Sequence, residues 1–82
     1  MKIRNQEYGN LNFIGHKVES LRKERKIKQK DFIAQLQLEG LDINPTSYSK
    51  LECQVRIATD KEIYAIAQIL EVSVDSLFKT KK

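Results

Sequence analysis

The chemistry that most narrows the function of this 82-residue chain sits in one short helical segment, at Thr46, Ser47 and Lys50. Tyr48, Leu51 and Val55 form an apolar stripe at helical spacing. At about 100° per residue, Thr46 and Lys50 point away from that stripe, while Ser47 and Gln54 flank the exposed side. Small hydroxyl side chains let a helix approach the floor of a nucleic-acid groove and hydrogen-bond base edges, and a lysine reaches a base acceptor or a phosphate. Gln29 opens the preceding helix, where unpaired backbone N–H groups favour an anion. Lys28, Lys30 and Arg56 add cations for phosphate contact. Any solvated amphipathic helix also carries Thr, Ser and Lys, so these residues need a scaffold before they mean a groove.

Other chemistries find no support. Cys53 is the only cysteine, which excludes an internal disulfide framework and a multi-cysteine zinc site, and with His16 the only histidine a metal centre or a Cys/His nucleophile pair is not expected. Asp31, Glu39, Asp42 and Glu52 are scattered at spacings that pair no acid with a base. There is no glycine-rich phosphate cradle and no nucleophile elbow. The chain is read as a non-enzyme with no cofactor and no metal. Its longest apolar run, Ile63 to Ala67, falls far short of the roughly 20 residues of a membrane helix. Met1 to Asn12 lack the apolar stretch of a secretory signal, so a cytoplasmic address without membrane attachment is expected.

The elements that must position Thr46, Ser47 and Lys50 are helical. Only three Gly and one Pro occur, too few turn residues for a sandwich of short strands. The first predicted helix runs from about Ile14 to Arg25, with Ile14, Val18 and Leu21 on one stripe. The second covers Gln29 to Leu38, with Phe32, Ile33 and Leu36 inward and Gly40 placed to end it; Leu41 and Ile43 turn in from the connection. The third starts with Asn44 as N-cap and Pro45 at the first helical position. The fourth begins at Thr59, whose Thr-x-x-Glu pattern with Glu62 reads as a capping box, and buries Ile63, Ile66, Ala67 and Leu70. Ser73 caps a short fifth helix ending near Phe78, with Leu77 and Phe78 inward. The domain is placed at residues 13–79. An N-terminal arm at 1–12 is partly ordered, pinned to the core through Ile3, Tyr8, Leu11 and Phe13, and a frayed tail follows at 80–82.

Net charge is +4, unremarkable as a total. Its distribution is more telling: Lys17, Arg22, Lys23, Arg25, Lys26, Lys28 and Lys30 crowd the junction of the first two helices, opposed there only by Glu19 and Glu24. From Leu41 onward the charges balance.

From Ile14 to Phe78 the chain resembles the Cro/repressor-type (XRE-like) helix-turn-helix domain of bacterial and phage transcription regulators. The matching text is IGHKVESLRKERKIKQKDFIAQL, then SYSKLE, then TDKEIYAIAQILEVSVDSLF. Arg22, Gln29, Ser49, Glu52, Ile66-Ala67, Leu70, Val72-Ser73 and Leu77 occupy the family's characteristic positions in order. The resemblance implies an all-α, compact five-helix, lambda-repressor-like fold with the third helix in the major groove and the second crossing the backbone above it. Carried over position by position, Pro45, Thr46, Ser47 and Lys50 fall where the family contacts bases, and Lys28, Gln29 and Asn44 where it contacts phosphate. Arg22 and Glu52 take the places of its structural ion pair. By helical angle Arg25 remains a rival partner for Glu52.

Three departures accompany the match. The turn between helices two and three is about five residues longer than usual, resembling a long-turn subgroup. Ile33 stands where Ala is usual, and Pro45 can offer no donor to a base. The expected function is a sequence-specific regulator of transcription, a repressor, binding double-stranded DNA as a homodimer on two half-sites roughly 34 Å apart. The dimer surface would come from the fifth helix, the tail or the arm. The departures motivate an alternative, an antitoxin- or antirepressor-like protein-interaction module that keeps the fold without reading DNA sequence and has a protein partner.

Overall fold

The computed structural model describes residues 9–79; the expected contacts of Ile3 and Tyr8 and the tail at 80–82 lie outside them. Five helices follow in order: α1 (Gly15–Glu24), α2 (Gln29–Leu38), α3 (Pro45–Glu52), α4 (Asp60–Leu70) and α5 (Val74–Leu77). No strand occurs among the described residues, and no helix there is long and apolar enough to cross a membrane.

Local chemistry sets the starts. Asn44 Oδ1 accepts from Ser47 N at 2.8 Å with Pro45 at the first helical position, and the α4 capping box forms in both directions between Thr59 and Glu62. Ser73 Oγ accepts from Ser76 N at 3.1 Å at the head of α5. The start of α1 draws on a residue assigned to the arm: Asn12 Oδ1 accepts from Gly15 N at 2.8 Å, and its Nδ2 donates to Leu51 O and Arg56 O. The chain from Gly9 is thereby tied to the end of α3, with Gly9 N donating to Cys53 O and Leu11 N to Gln54 O.

The first four helices share one kind of ending. Lys26, Gly40, Gln54 and Glu71 take positive φ of 58°, 99°, 64° and 60°. The following N–H then reaches back into the helix: Ile27 to Arg22 O, Leu41 to Leu36 O, Val55 to Lys50 O and Val72 to Ala67 O. This is the Schellman closure, usually made by glycine. Three non-glycine residues hold it here, each at a backbone cost of about 1–2 kcal/mol, so packing rather than local preference places these corners.

One core joins the five helices: Ile14 and Val18 from α1, Phe32, Ile33 and Leu36 from α2, Tyr48 and Leu51 from α3, Ala65, Ile66, Ala67 and Leu70 from α4, and Leu77 from α5, with Ile43 from the long turn. Leu21, Leu41 and Ile63 pack against it half-buried. Four residues expected to reach the core lie outside. Leu11 and Phe13 are 54% and 72% exposed, this segment being held instead by its backbone and by Asn12. Val55 is 44% exposed because α3 stops at Glu52 and the turn at Gln54 swings the chain outward. Phe78 is 43% exposed and meets the Phe13 ring in an edge arrangement, centroids 6.4 Å apart. α5 is a single turn, and Leu77 takes its inward position. Ala65, not singled out in the sequence, is buried because α4 presents a wider face to the core than one stripe.

The start of α1 presses on the end of α3. A Cβ at Gly15 would lie 2.3 Å from Leu51 O and 2.8 Å from Glu52 O, so only glycine permits this approach. Gly15→Ala is expected to lose about 1–3 kcal/mol despite alanine's better helix propensity, read as a lower urea midpoint with unchanged slope.

Candidate nucleic-acid interface

A buried carboxylate organises the region around α3. Glu52, in the last turn of α3, is 3% exposed, and Arg22 of α1 is 7% exposed. Arg22 Nε donates to Glu52 Oε2 at 2.7 Å and Nη2 to Oε1 at 3.3 Å, while Nη1 donates to Ile27 O at 2.8 Å in the α1–α2 connection. Gln29, first residue of α2, donates its Nε2 to Glu52 Oε1 at 3.2 Å. The Tyr48 hydroxyl, one turn earlier on α3, donates to Glu52 Oε2. Three helices therefore converge on one anion, and no buried side-chain polar atom among the described residues lacks a partner. Burial and then the neighbouring carboxylate push the Tyr48 phenol far above its ordinary range, so it stays a donor. Burial opposes the charge on Arg22, but the hydrogen bond and charge of Glu52 outweigh it and raise its pKa.

The choice between Arg22 and Arg25 is thus settled by position: Arg22 pairs with Glu52 and Arg25 is exposed. The Phe32 and Tyr48 rings, centroids 5.6 Å apart, pack α2 against α3 beside the pair.

Outside this anchor, α3 turns Pro45, Thr46 and Lys50 to solvent, opposite buried Tyr48, Leu51 and Glu52. Thr46 and Lys50 are one turn apart and lie above one another on that face. Ser47 is half-buried at its flank, and Asn44 is exposed with its side-chain oxygen used by the cap. Lys28, which caps α2 with no side-chain hydrogen bond, and Lys30 are both exposed. Lys28, Lys30 and Lys50 have no ion pair among the described residues. Gln54 does not extend the face, because its Nε2 donates to Asn12 O.

Two residues expected at phosphates are committed elsewhere. The Gln29 amide faces inward to Glu52, leaving its backbone at the α2 start. Arg56 is drawn inward by the protein itself. Its Nε donates to Ser47 O at 2.9 Å, Nη1 to Ile57 O at 2.8 Å, and Nη1 and Nη2 to the two Glu62 carboxylate oxygens at 2.9 Å each. Four of the five guanidinium N–H groups are spent inside the protein. Sequence pattern carried no sign of this, since Arg56 and Glu62 meet across a loop with no periodic spacing. The Tyr48–Glu52 contact did have a signal, its i, i+4 spacing.

Two outcomes follow. Glu52→Gln and Arg22→Met each leave one buried charge without its counter-charge and are expected to cost about 3–5 kcal/mol, whereas the double variant costs less than their sum; a double-mutant cycle by urea unfolding measures this. For Glu62, burial raises the carboxyl pKa, but hydrogen bonds from Arg56 and the Thr59 backbone and the Arg56 charge outweigh it, holding it below the ordinary 4.5. A depressed folded-state pKa adds stability that is complete above about 4.5 and lost as pH falls through the folded value. The stability of Glu62→Gln is therefore expected to fall less between pH 5 and pH 3 than that of the unsubstituted protein.

No protein-family model, curated protein or solved structure matches the chain.

Proposed function

We propose that this protein is a DNA-binding regulator of transcription of the Cro/repressor helix-turn-helix type, inserting α3 into the major groove with α2 crossing the backbone above it. The observation that carries this reading is the fixed relation between two exposed features. Pro45, Thr46 and Lys50 face outward on α3, Lys28 and Lys30 stand at the start of α2, and Glu52 joins the two helices through Gln29. The lysines are unpaired among the described residues, as cations awaiting phosphate are. Thr46, Lys50 and Ser47 read bases, Pro45 packs against the groove, and Lys28, Lys30 and the α2 backbone start hold phosphates. A single eight-residue reading helix makes few base contacts, so the protein acts as a homodimer on a two-fold site, as a repressor by occupancy.

A second reading is favoured by one surface. Leu41, Ile63, Tyr64, Val74 and Phe78 line an open groove of about 750 Å³ between the end of α2, α4 and α5, and apolar grooves of this kind mark contacts between proteins. In this reading the domain serves as an interaction module without DNA.

The test is selection from a genomic DNA pool at two salt concentrations. Enrichment of a two-fold sequence that Lys50→Ala abolishes supports the regulator. Lys28→Ala and Lys30→Ala are expected to weaken binding to all sequences evenly and to lower the salt slope by about one each. No enrichment over random DNA, with partners recovered after nuclease treatment, overturns it in favour of the interaction module.

A further inference from the structure

Beyond its core packing and the Asn44 cap, α3 is gripped by charged side chains at two places. The Glu52 cluster holds its last turn. The second grip is on its first half, where Arg56 Nε donates to Ser47 O at 2.9 Å, one residue from Thr46 and three from Lys50. Arg56 is itself held by the bidentate pair with Glu62, both distances 2.9 Å. Glu62 is anchored in turn, because its Oε1 accepts from Thr59 N in the α4 capping box. The Arg56 and Glu62 side chains are only 21% and 13% exposed, so the pair is shielded from salt more than an open surface pair is. Tyr48 and Leu51 hold the inner side of α3 in the core by apolar contact, which accepts several attitudes of the helix. A fork of fixed geometry against its flank removes that freedom.

Resting on the reading of α3 as the base-reading helix, we propose that Arg56 and Glu62 form a latch between α4 and α3 that sets the attitude of Thr46 and Lys50 toward DNA, with Arg56 a positioning residue and not a phosphate ligand. The two roles predict opposite signs for one substitution. Glu62→Gln keeps the α4 capping box, which glutamine also serves, and makes the protein more positive. If Arg56 binds phosphate, releasing it from Glu62 raises affinity for all DNA, and Arg56→Gln lowers the salt slope by about one. If the pair is a latch, Glu62→Gln and Arg56→Gln each lower the preference for the selected sequence over random DNA by about tenfold, the loss of roughly one base contact. The salt slope then stays unchanged, the double variant is no worse than either single one, and Arg56→Lys fails to rescue because an ammonium cannot hold Ser47 O and both carboxylate oxygens together.

The experiment measures competition binding of the selected and random duplexes at two salt concentrations. In parallel, amide NMR spectra and hydrogen exchange of the same variants are recorded without DNA. The latch predicts shifted signals and faster exchange at Ser47 to Leu51 in both single variants, with α1 and α2 unmoved. Unchanged α3 amides, or a rise in affinity for all DNA with Glu62→Gln, overturn the latch. If the unsubstituted protein shows no sequence preference, the regulator reading falls and the latch's role in reading DNA falls with it. Altered α3 amides in that case identify a latch that positions α3 for another partner.

Discussion

A carboxylate withdrawn from water must be met by donors on nearly every side, and Glu52 finds them on three separate helices. Arg22 reaches it from α1, Gln29 from the start of α2 and Tyr48 from its own helix. The desolvation of both charges makes this a weak source of net stability compared with an apolar cluster of equal volume. Its contribution is geometric. An arginine fork and a carboxylate pair well in few orientations, so α1, α2 and α3 are held at one mutual setting, whereas apolar side chains alone would accept several. The glycine at position 15 serves the same end by allowing α1 to lie directly on the last carbonyls of α3.

The rest of α3 depends on that setting. Eight residues are far too few to form a helix alone in water, so α3 exists because its inner side chains are packed and its ends are tied. Asn44 and Pro45 start it, the Schellman turn at Gln54 stops it, and Arg56 braces its flank against α4. What is left over is the outer face. The Thr46 and Lys50 side chains have nothing to do for the fold, and this makes them available to a partner beside Pro45, which starts the helix. The same logic applies to Tyr64, Val74 and Phe78, which the core does not use.

Much of this was legible from residue order. The apolar stripes and caps located the five helices to within a residue or two except at the end of α3, because burial at a 3.6-residue period leaves a direct imprint on sequence. Caps at Asn44, Thr59 and Ser73 were equally readable, since the interaction spans only three residues. Errors came where an outcome depended on distant parts of the chain. Val55 continued the stripe on paper, yet the helix ended before it. Phe78 sat beside a core residue on a helix too short to turn both inward. Asn12 joins the start of α1 to the end of α3, a tie between distant positions that residue order does not show.

The sequence by itself determined the helix starts, most of the core and the outward positions of Thr46 and Lys50 on α3, because each follows from neighbours a few residues away; the helix-ending corners and the core's edges did not. Only the tertiary structure decided which charges are available. Arg22, Arg25 and Arg56 are alike as residue types, but one is buried against Glu52, one is exposed and one is locked onto Glu62 and Ser47. Pairing depends on distance in space, and the helices that bring Arg22 to Glu52, thirty residues apart, leave no periodic trace in the chain.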